Sequence, residues 1–424
     1  MNSVEYFFEQ ITAIPRCSYD SDQLKEYLVR YAKEQNFDVK VDRAGNVICK
    51  KGKPKICLQS HYDMVCLGDA PKVELIKNGN VLRAKNSTLG ADNGMGVAIM
   101  LYCMQKYDDF ECLFTANEEV GLIGAANLEL EIVAPNILNI DSEDENVICI
   151  GCAGGSDVVS EKEIELEPLN AKDKIYIAVI EGLPGGHSGV DIDKNIPSSI
   201  KILARFLTKH NCELIDIKAG ERRNSIAQGG VAIFTCEEEL ENDEFVKVEK
   251  IENNNYKKIK NSQKIIKMLD AFSQGVRAWN KELGIPEDSA NLGIVEIKNG
   301  VFEVAISLRT MDDRSMDRLE AQTESFFDLC GFSVTFSSHN DAWTPYIGDF
   351  SKKVQMVASK YIPNIKFEAI HAGLECGMLV SRQKEPKQVV SIGPNIRFPH
   401  SIREECDLDS VEKIKKIVED LIFL

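Results

Sequence analysis

The sequence predicts an α/β protein with a mostly parallel sheet, interrupted by an α+β segment. Three observations carry this reading. Near the start, short apolar runs alternate with helical patterns, as in units that build parallel sheets. From about residue 172 the texture changes to hairpins and amphipathic helices, and after about residue 342 the strand–helix alternation returns. The division expected is therefore 1–171, 172–341 and 342–424, the outer two forming one α/β domain.

In the first segment "KICLQS" (55–60), "ECLFTA" (111–116) and "NILNID" (136–141) read as strands, and "GMGVAIMLYCMQKY" (94–107) reads as a helix behind a Gly-Asp-Asn-Gly turn. In the second, "DKIYIAVIEGL" and "GGVAIFTCE" read as strands, and "IPSSIKILARFLTKH" as an amphipathic helix. "NSQKIIKMLDAFSQGVRAWNKE" reads as one long helix. "GIVEIKNGVFEVAISLRT" reads as two strands about an Asn-Gly turn, followed by the helix "SMDRLEAQTESFFDLCG" and the strand "FSVTFSSHN". In the third, "FSKKVQMVASKY" is a helix and "QVVSIG" a strand.

Composition narrows the function. The 424 residues are 44% hydrophobic and 28% charged, an ordinary globular balance. A net charge of -17 argues against nucleic acid or an anionic membrane as partner, since both call for a basic surface. No apolar run approaches the ~18 residues of a membrane span, and no basic-then-apolar leader pattern opens the chain, so a cytoplasmic protein is expected. The 13 cysteines are odd in number and scattered through apolar context, which favours buried thiols over a disulfide framework. The C-x-x-C spacing in "CIGC" (149–152) stands alone in an apolar run and reads as packing.

The chemistry gathers at strand ends. His61, Tyr62 and Asp63 follow "KICLQS", and Asp92 precedes a helix. Glu118 and Glu119 follow "ECLFTA", Asp141 closes "NILNI", and His400 follows "VVSIGPNIRFP". In open α/β sheets, sites form beyond the carboxyl ends of strands. So many acids cannot converge without countercharge, and metal cations supply it. Asp92, Glu119 and Asp141 with two Zn²⁺ and one hydroxide form a neutral cluster, and imidazole with carboxylate suits zinc, with manganese or cobalt also possible. If Glu119 ligates a metal, its neighbour Glu118 points elsewhere and can act as general base on a metal-bound water. Asp63, two residues from His61, can fix that imidazole's tautomer.

Seven stretches, "SHYDMV", "TLGADNGMG", "TANEEVGLIGA", "NIDSEDE", "GLPGGHSG", "HAGLECG" and "GPNIRFPHS", occur in the order found in the dinuclear-zinc exopeptidases, a family that includes carboxypeptidase G and peptidase T. The chain most resembles the bacterial aminoacyl-histidine (Xaa-His) dipeptidases. The resemblance implies a metallopeptidase catalytic domain with an inserted lid or dimerisation domain, a homodimer, and hydrolysis of dipeptides by a metal-bound hydroxide. Tripeptides and N-acyl amino acids are the alternative substrates, and a non-catalytic peptide-binding scaffold the alternative function. It implies one metal on His61, Asp92 and Asp141 and another on Asp92, Glu119 and His400, with Asp92 bridging. It makes Glu118 the base, Asp63 its neighbour's support and His187 of "GGHSG" the oxyanion donor. It also implies that Arg223 and Asn224 of "RRNSIA" fix the substrate carboxylate, and that His371 and Glu375 line the pocket, where an acid can hold a free amine. The sequence departs from the family pattern at Asn117, Asp193 and Ile402, where Asp, His and Pro are usual.

Overall fold

The computed structural model describes residues 2–170, 172–252 and 255–423. The chain divides into two compact units. The first comprises Met1–Gly151, Trp343–Ala369 and Leu374–Leu424, and the second Cys152–Ala342 with Ile370–Gly373. The second unit therefore begins at Cys152, ahead of the boundary at residue 172 expected from the sequence. The reason is pairing. The strand Gly154–Glu163 lies antiparallel between Val301–Thr310 and Ser333–Asn340, so its ladder belongs to the second sheet.

The first unit is built on an eight-stranded sheet in the order Asp38–Val41, Val47–Lys51, Phe110–Thr115, Ile56–His61, Asn136–Asn139, Gln388–Ser391, Val147–Cys152, Lys366–Ile370. The four strands from Phe110–Thr115 to Gln388–Ser391 run parallel, and antiparallel strands flank them. Continuous apolar runs suit them, because helices bury both faces. Phe7, Phe8 and Ile11 of Val4–Thr12, Val354 and Val357 of Asp349–Ala358, and Ile414 and Ile417 of Leu408–Phe423 share one core with Leu58, Phe114 and Leu138 of the sheet. The helix Ala91–Met104 is apolar almost all round and almost wholly buried, as that composition requires. A small sheet, Ile396–Arg397, Glu405–Asp407, Val81–Ala84 and Leu75–Asn78, completes the unit and carries the loop that contains His400.

The second unit has a nine-stranded sheet whose pairings are antiparallel, with helices Ser199–Lys209, Ser262–Ala271 and Asp313–Leu329. The turn predicted at Asn299–Gly300 joins Lys298 to Val301, and both turn residues have positive φ, the two-residue hairpin geometry Asn-Gly favours. The long helix expected over "NSQKIIKMLDAFSQGVRAWNKE" is two elements. The helix stops at Ala271, Gly275 turns the chain at φ 97°, and Gly275–Asn280 is a strand pairing with Ile285–Lys298. Tertiary pairing overrides the helical period there.

The cysteines also depart from expectation at one place. Cys17 and Cys66 form a disulfide, with Cα atoms 5.6 Å apart. The other eleven are unbridged and all but Cys330 are buried, Cys149 and Cys152 of "CIGC" included. In denaturant without reductant, Ellman's reagent should count about eleven thiols, rising to thirteen after reduction. In the native protein, Cys330 should react first. Thirteen thiols before reduction would exclude the disulfide.

Candidate dinuclear metal site

The parallel strands deliver the site. His61 ends Ile56–His61, Glu118 and Glu119 follow Phe110–Thr115, and Asp141 follows Asn136–Asn139. His400 lies on the loop between Ile396–Arg397 and Glu405–Asp407. Asp92 sits in the first turn of Ala91–Met104 with non-helical φ/ψ of −78° and 112°, and the Asp92–Asn93 peptide is cis.

Asp92 stands between the imidazoles. Its Oδ1 is 3.1 Å from His61 Nε2 and its Oδ2 is 3.1 Å from His400 Nε2. Asp141 Oδ1 lies 3.4 Å from His61 Nε2, and Glu119 Oε2 lies 2.8 Å from His400 Nε2. The donor atoms of His61, Asp92 and Asp141 form one cluster, and those of Asp92, Glu119 and His400 another. These are the two groups of three expected from the sequence, and one carboxylate oxygen from each of Glu118 and Glu119 gathers with a His61 ring nitrogen into a third.

The strand stops at Thr115 and Asn117 turns the backbone at φ 52° just before the two glutamates. Glu118 Oε2 comes within 3.8 Å of His61 Nε2, while Glu119 faces His400. Asp63 joins these parts. Its Oδ1 accepts the Glu118 N–H at 3.0 Å and lies 3.5 Å from His61 Nδ1, and its Oδ2 accepts from Ser18 Oγ at 2.7 Å. His61 Nδ1 also lies 3.2 Å from the Asp63 carbonyl oxygen, so two acceptors face this nitrogen and leave Nε2 toward the cluster.

The electrostatics register the crowding. Burial pushes Glu118 well above the usual carboxylate range, with the charges of Glu119 and Asp141 adding to it. Burial and Asp92 raise Glu119 to about 6. Burial opposes protonation of His400, yet Asp92 and Glu119 push it up to about 12, and 40% of its side chain is exposed. His61 is likewise raised against burial, chiefly by Asp141. Burial would raise Asp92, but both imidazoles hold it below its ordinary value. Glu119 Oε1 is buried without a hydrogen-bond partner. Excess carboxylate, paired imidazoles and an orphaned oxygen fit two divalent ions.

The remaining predicted residues fall elsewhere. In the second unit, Gly186–His187 pairs with Ser225–Ile226, and Ser188 N–H donates to the Asn224 carbonyl at 2.9 Å, so His187 adjoins the "RRNS" stretch. The N–H groups of Gly189 and Val190 donate to His187 Nδ1 at 3.2 and 3.3 Å, which puts the neutral ring's hydrogen on Nε2. Arg223 is engaged with the protein: Nη1 donates to Asp157 Oδ2 at 2.8 Å and Ser337 Oγ at 3.2 Å. His371 is buried, with Nε2 2.7 Å from Ser289 Oγ, and burial with the charge of Arg309 lowers it to about 3, so it is neutral. Glu375, in the first unit, is turned into the protein. It is 0% exposed, and its Oε2 accepts from Gln59 at 2.6 Å and Thr115 at 2.7 Å, a polar pair beneath the strand ends that draws it inward.

Sequence reading missed Asn93, whose Nδ2 donates to Asp141 Oδ1 and to the Ile140 carbonyl, and whose only cue was its place beside Asp92. It also missed Arg309, half-buried with a buried, unpartnered Nε on the strand beside Ser289, and Arg16 and Glu404.

Two donor triads sharing one carboxylate, at the carboxyl edge of a parallel sheet, define a dinuclear metallohydrolase. No family model matches the chain. It is 31% identical to the cytosol non-specific dipeptidase of Escherichia coli K12, over 98% of this chain and 96% of that one. Among solved structures it is similar to an aminoacylhistidine dipeptidase from Vibrio alginolyticus, at 28% identity and a TM-score of 0.75, covering 98% and 96% of the two chains. It shares its fold with the aminopeptidase PepT from Bacillus cereus, at 16% identity, a TM-score of 0.62 and coverage of 99% and 97%. The chain belongs to the family of metallo-exopeptidases that contains these dipeptidases. No helix among the described residues is long and apolar enough to cross a membrane.

Metal binding should release protons, because an imidazole must be neutral to ligate. His61 and His400, both raised, hold protons in the metal-free protein near neutral pH and give them up to the ions. Calorimetry of zinc binding at pH 7.5 in buffers of differing ionisation enthalpy should show about two protons or more released for two ions, and affinity should fall as pH is lowered. No proton release would exclude the imidazoles as ligands.

Proposed function

We propose that this protein is a cytoplasmic, homodimeric dipeptidase that uses two zinc ions and accepts Xaa-His dipeptides among its substrates. The observation that carries the proposal is Asp92, with one carboxylate oxygen 3.1 Å from each imidazole. The Escherichia coli relative is named for non-specific dipeptide hydrolysis in the cytosol and the Vibrio relative for aminoacyl-histidine, which supports compartment and substrate. The homodimer rests on the family resemblance alone.

His61, Asp92 and Asp141 would hold one ion, and Asp92, Glu119 and His400 the other. When bound, the ions polarise the scissile carbonyl and acidify the attacking water. Glu118 takes a proton from that water and returns it to the leaving amine. Its place within 3.8 Å of His61 Nε2 puts it beside the cluster for both transfers. Asp63 keeps His61 oriented through Nδ1 and fixes the Glu118 peptide, so ligand and base share one support. His187, with its hydrogen on Nε2, donates to the developing oxyanion. Arg223 with Asn224 anchors the substrate carboxylate by exchanging Asp157 for it, and Arg309 supplies a second guanidinium in the same sheet. Neutral His371 lends a hydrogen bond to substrate recognition.

The test is a peptide panel given to metal-stripped protein before and after zinc or manganese. Dipeptides should be cleaved only with metal, Xaa-His among them. Glu118→Gln should keep its metal and lose about 10²- to 10⁴-fold in kcat. Cleavage confined to tripeptides or N-acyl amino acids would overturn the substrate, and no cleavage without tight metal binding would overturn the enzyme.

A further inference from the structure

Arg16 and Glu404 lie outside the donor set, yet both are almost wholly buried, at 1% and 3% exposure. Glu404 sits on the same loop as His400, four residues on. Its Oε2 accepts the N–H groups of Leu89 at 2.8 Å and Gly90 at 2.9 Å, and its Oε1 accepts those of Ala91 at 2.8 Å and Asp92 at 3.3 Å. One carboxylate thus takes four consecutive peptide donors, ending at the residue that stands between the imidazoles. Charge-assisted bonds of this kind are strong and directional.

Arg16 grips the same stretch from the carbonyl side. Its Nη2 donates to the Gly90 carbonyl, and its Nη1 to the carbonyls of Asp63 at 3.2 Å and Tyr62 at 3.4 Å. The Gly90 peptides are therefore held on both sides, N–H by Glu404 and C=O by Arg16. Only glycine fits. Gly90 has φ 69°, and a Cβ there would collide with the Arg16 guanidinium and come within 2.8 Å of Met64 Sδ. Two buried charges so connect the residues beside His61, the loop ending in Asp92, and the loop carrying His400.

We propose that Glu404 and Arg16 are positioning residues that preset the spacing of the two metal sites before any ion binds, with Glu404 acting on the half formed by Asp92, Glu119 and His400. The spacing of Asp92 from His400 is fixed by a short path: four residues of one loop, the Glu404 carboxylate, and its bond to the Asp92 peptide. The competing role is plain helix capping, since the Ala91 and Asp92 N–H groups open the helix Ala91–Met104. A cap stabilises the helix without favouring either ion. The proposal rests on the dinuclear reading of the site.

Zinc titration of metal-free protein against a competing chelator resolves the two affinities and separates these roles. Glu404→Gln should weaken one ion by about 10- to 100-fold and leave the other within about twofold. Arg16→Lys, which keeps the charge but loses the fork, should weaken binding as well. Unchanged affinities with a lowered Tm, or both affinities falling equally in Glu404→Gln, overturn the proposal in favour of capping. Amide exchange in the wild type keeps the test decisive if the variants do not fold. The Leu89–Asp92 amides should be as protected in metal-free protein as those of Ile56–His61, and protection that arises only on adding zinc overturns the preset spacing. Wild-type protein that fails to take two ions overturns the dinuclear reading and this proposal together. Two ions held with equal strength by wild type and Glu404→Gln overturn this proposal alone.

Discussion

Five carboxylates drawn around two imidazoles at one sheet edge are the constraint that the rest of the structure serves. Two unit charges about 4 Å apart repel by about 4 kcal/mol at an effective dielectric of about 20. A few such pairs rival the ~5–15 kcal/mol that holds a whole domain together. The repulsion is tolerated because the scaffold around it is stiff and because protons or cations offset it. The carboxylates raise His61 and His400 against burial, and burial with Asp92 pushes Glu119 up to about 6.

The architecture explains how so few local signals suffice. A parallel sheet aligns carboxyl ends, so each strand delivers its next residues to a common edge. Adjacent glutamates then serve two directions, beyond a left-handed residue, Asn117, that ends the strand's course. The wholly buried helix Ala91–Met104 packs close enough for Asn93 to reach Asp141 and for Gly96 to sit against Ser60 and the Ile140 carbonyl. Packing here sets donor positions as well as stability.

Much of this was legible in the sequence. Strand and helix ends announce themselves by sitting where an apolar run stops or starts, which exposed His61, Asp92, Glu118, Glu119, Asp141 and His400, and the ordered motifs divided them between two ions. What was not legible is long-range. Arg16 and Glu404 act through backbone groups far along the chain, and no periodicity marks a side chain that will bond to main-chain atoms. The strand Gly275–Asn280 was hidden because its residues continue an apolar pattern compatible with helix, and only its partner Ile285–Lys298 decides the matter. The Cys17–Cys66 bridge was hidden by a separation of 49 residues. Gln59 and Thr115 turn the Glu375 side chain inward, a placement that its motif does not signal.

The first unit is assembled from three stretches of chain, while the second is almost one continuous stretch between them. Synthesis therefore emits His61, Asp92, Glu119 and Asp141 long before His400. Until the last stretch emerges, the central sheet lacks Gln388–Ser391 and the second donor triad lacks its imidazole. A nascent chain can close the intervening antiparallel sheet from its own contiguous strands, but it cannot complete the cluster. Assembly of the second donor triad is thereby deferred until the stretch that carries His400 has been made.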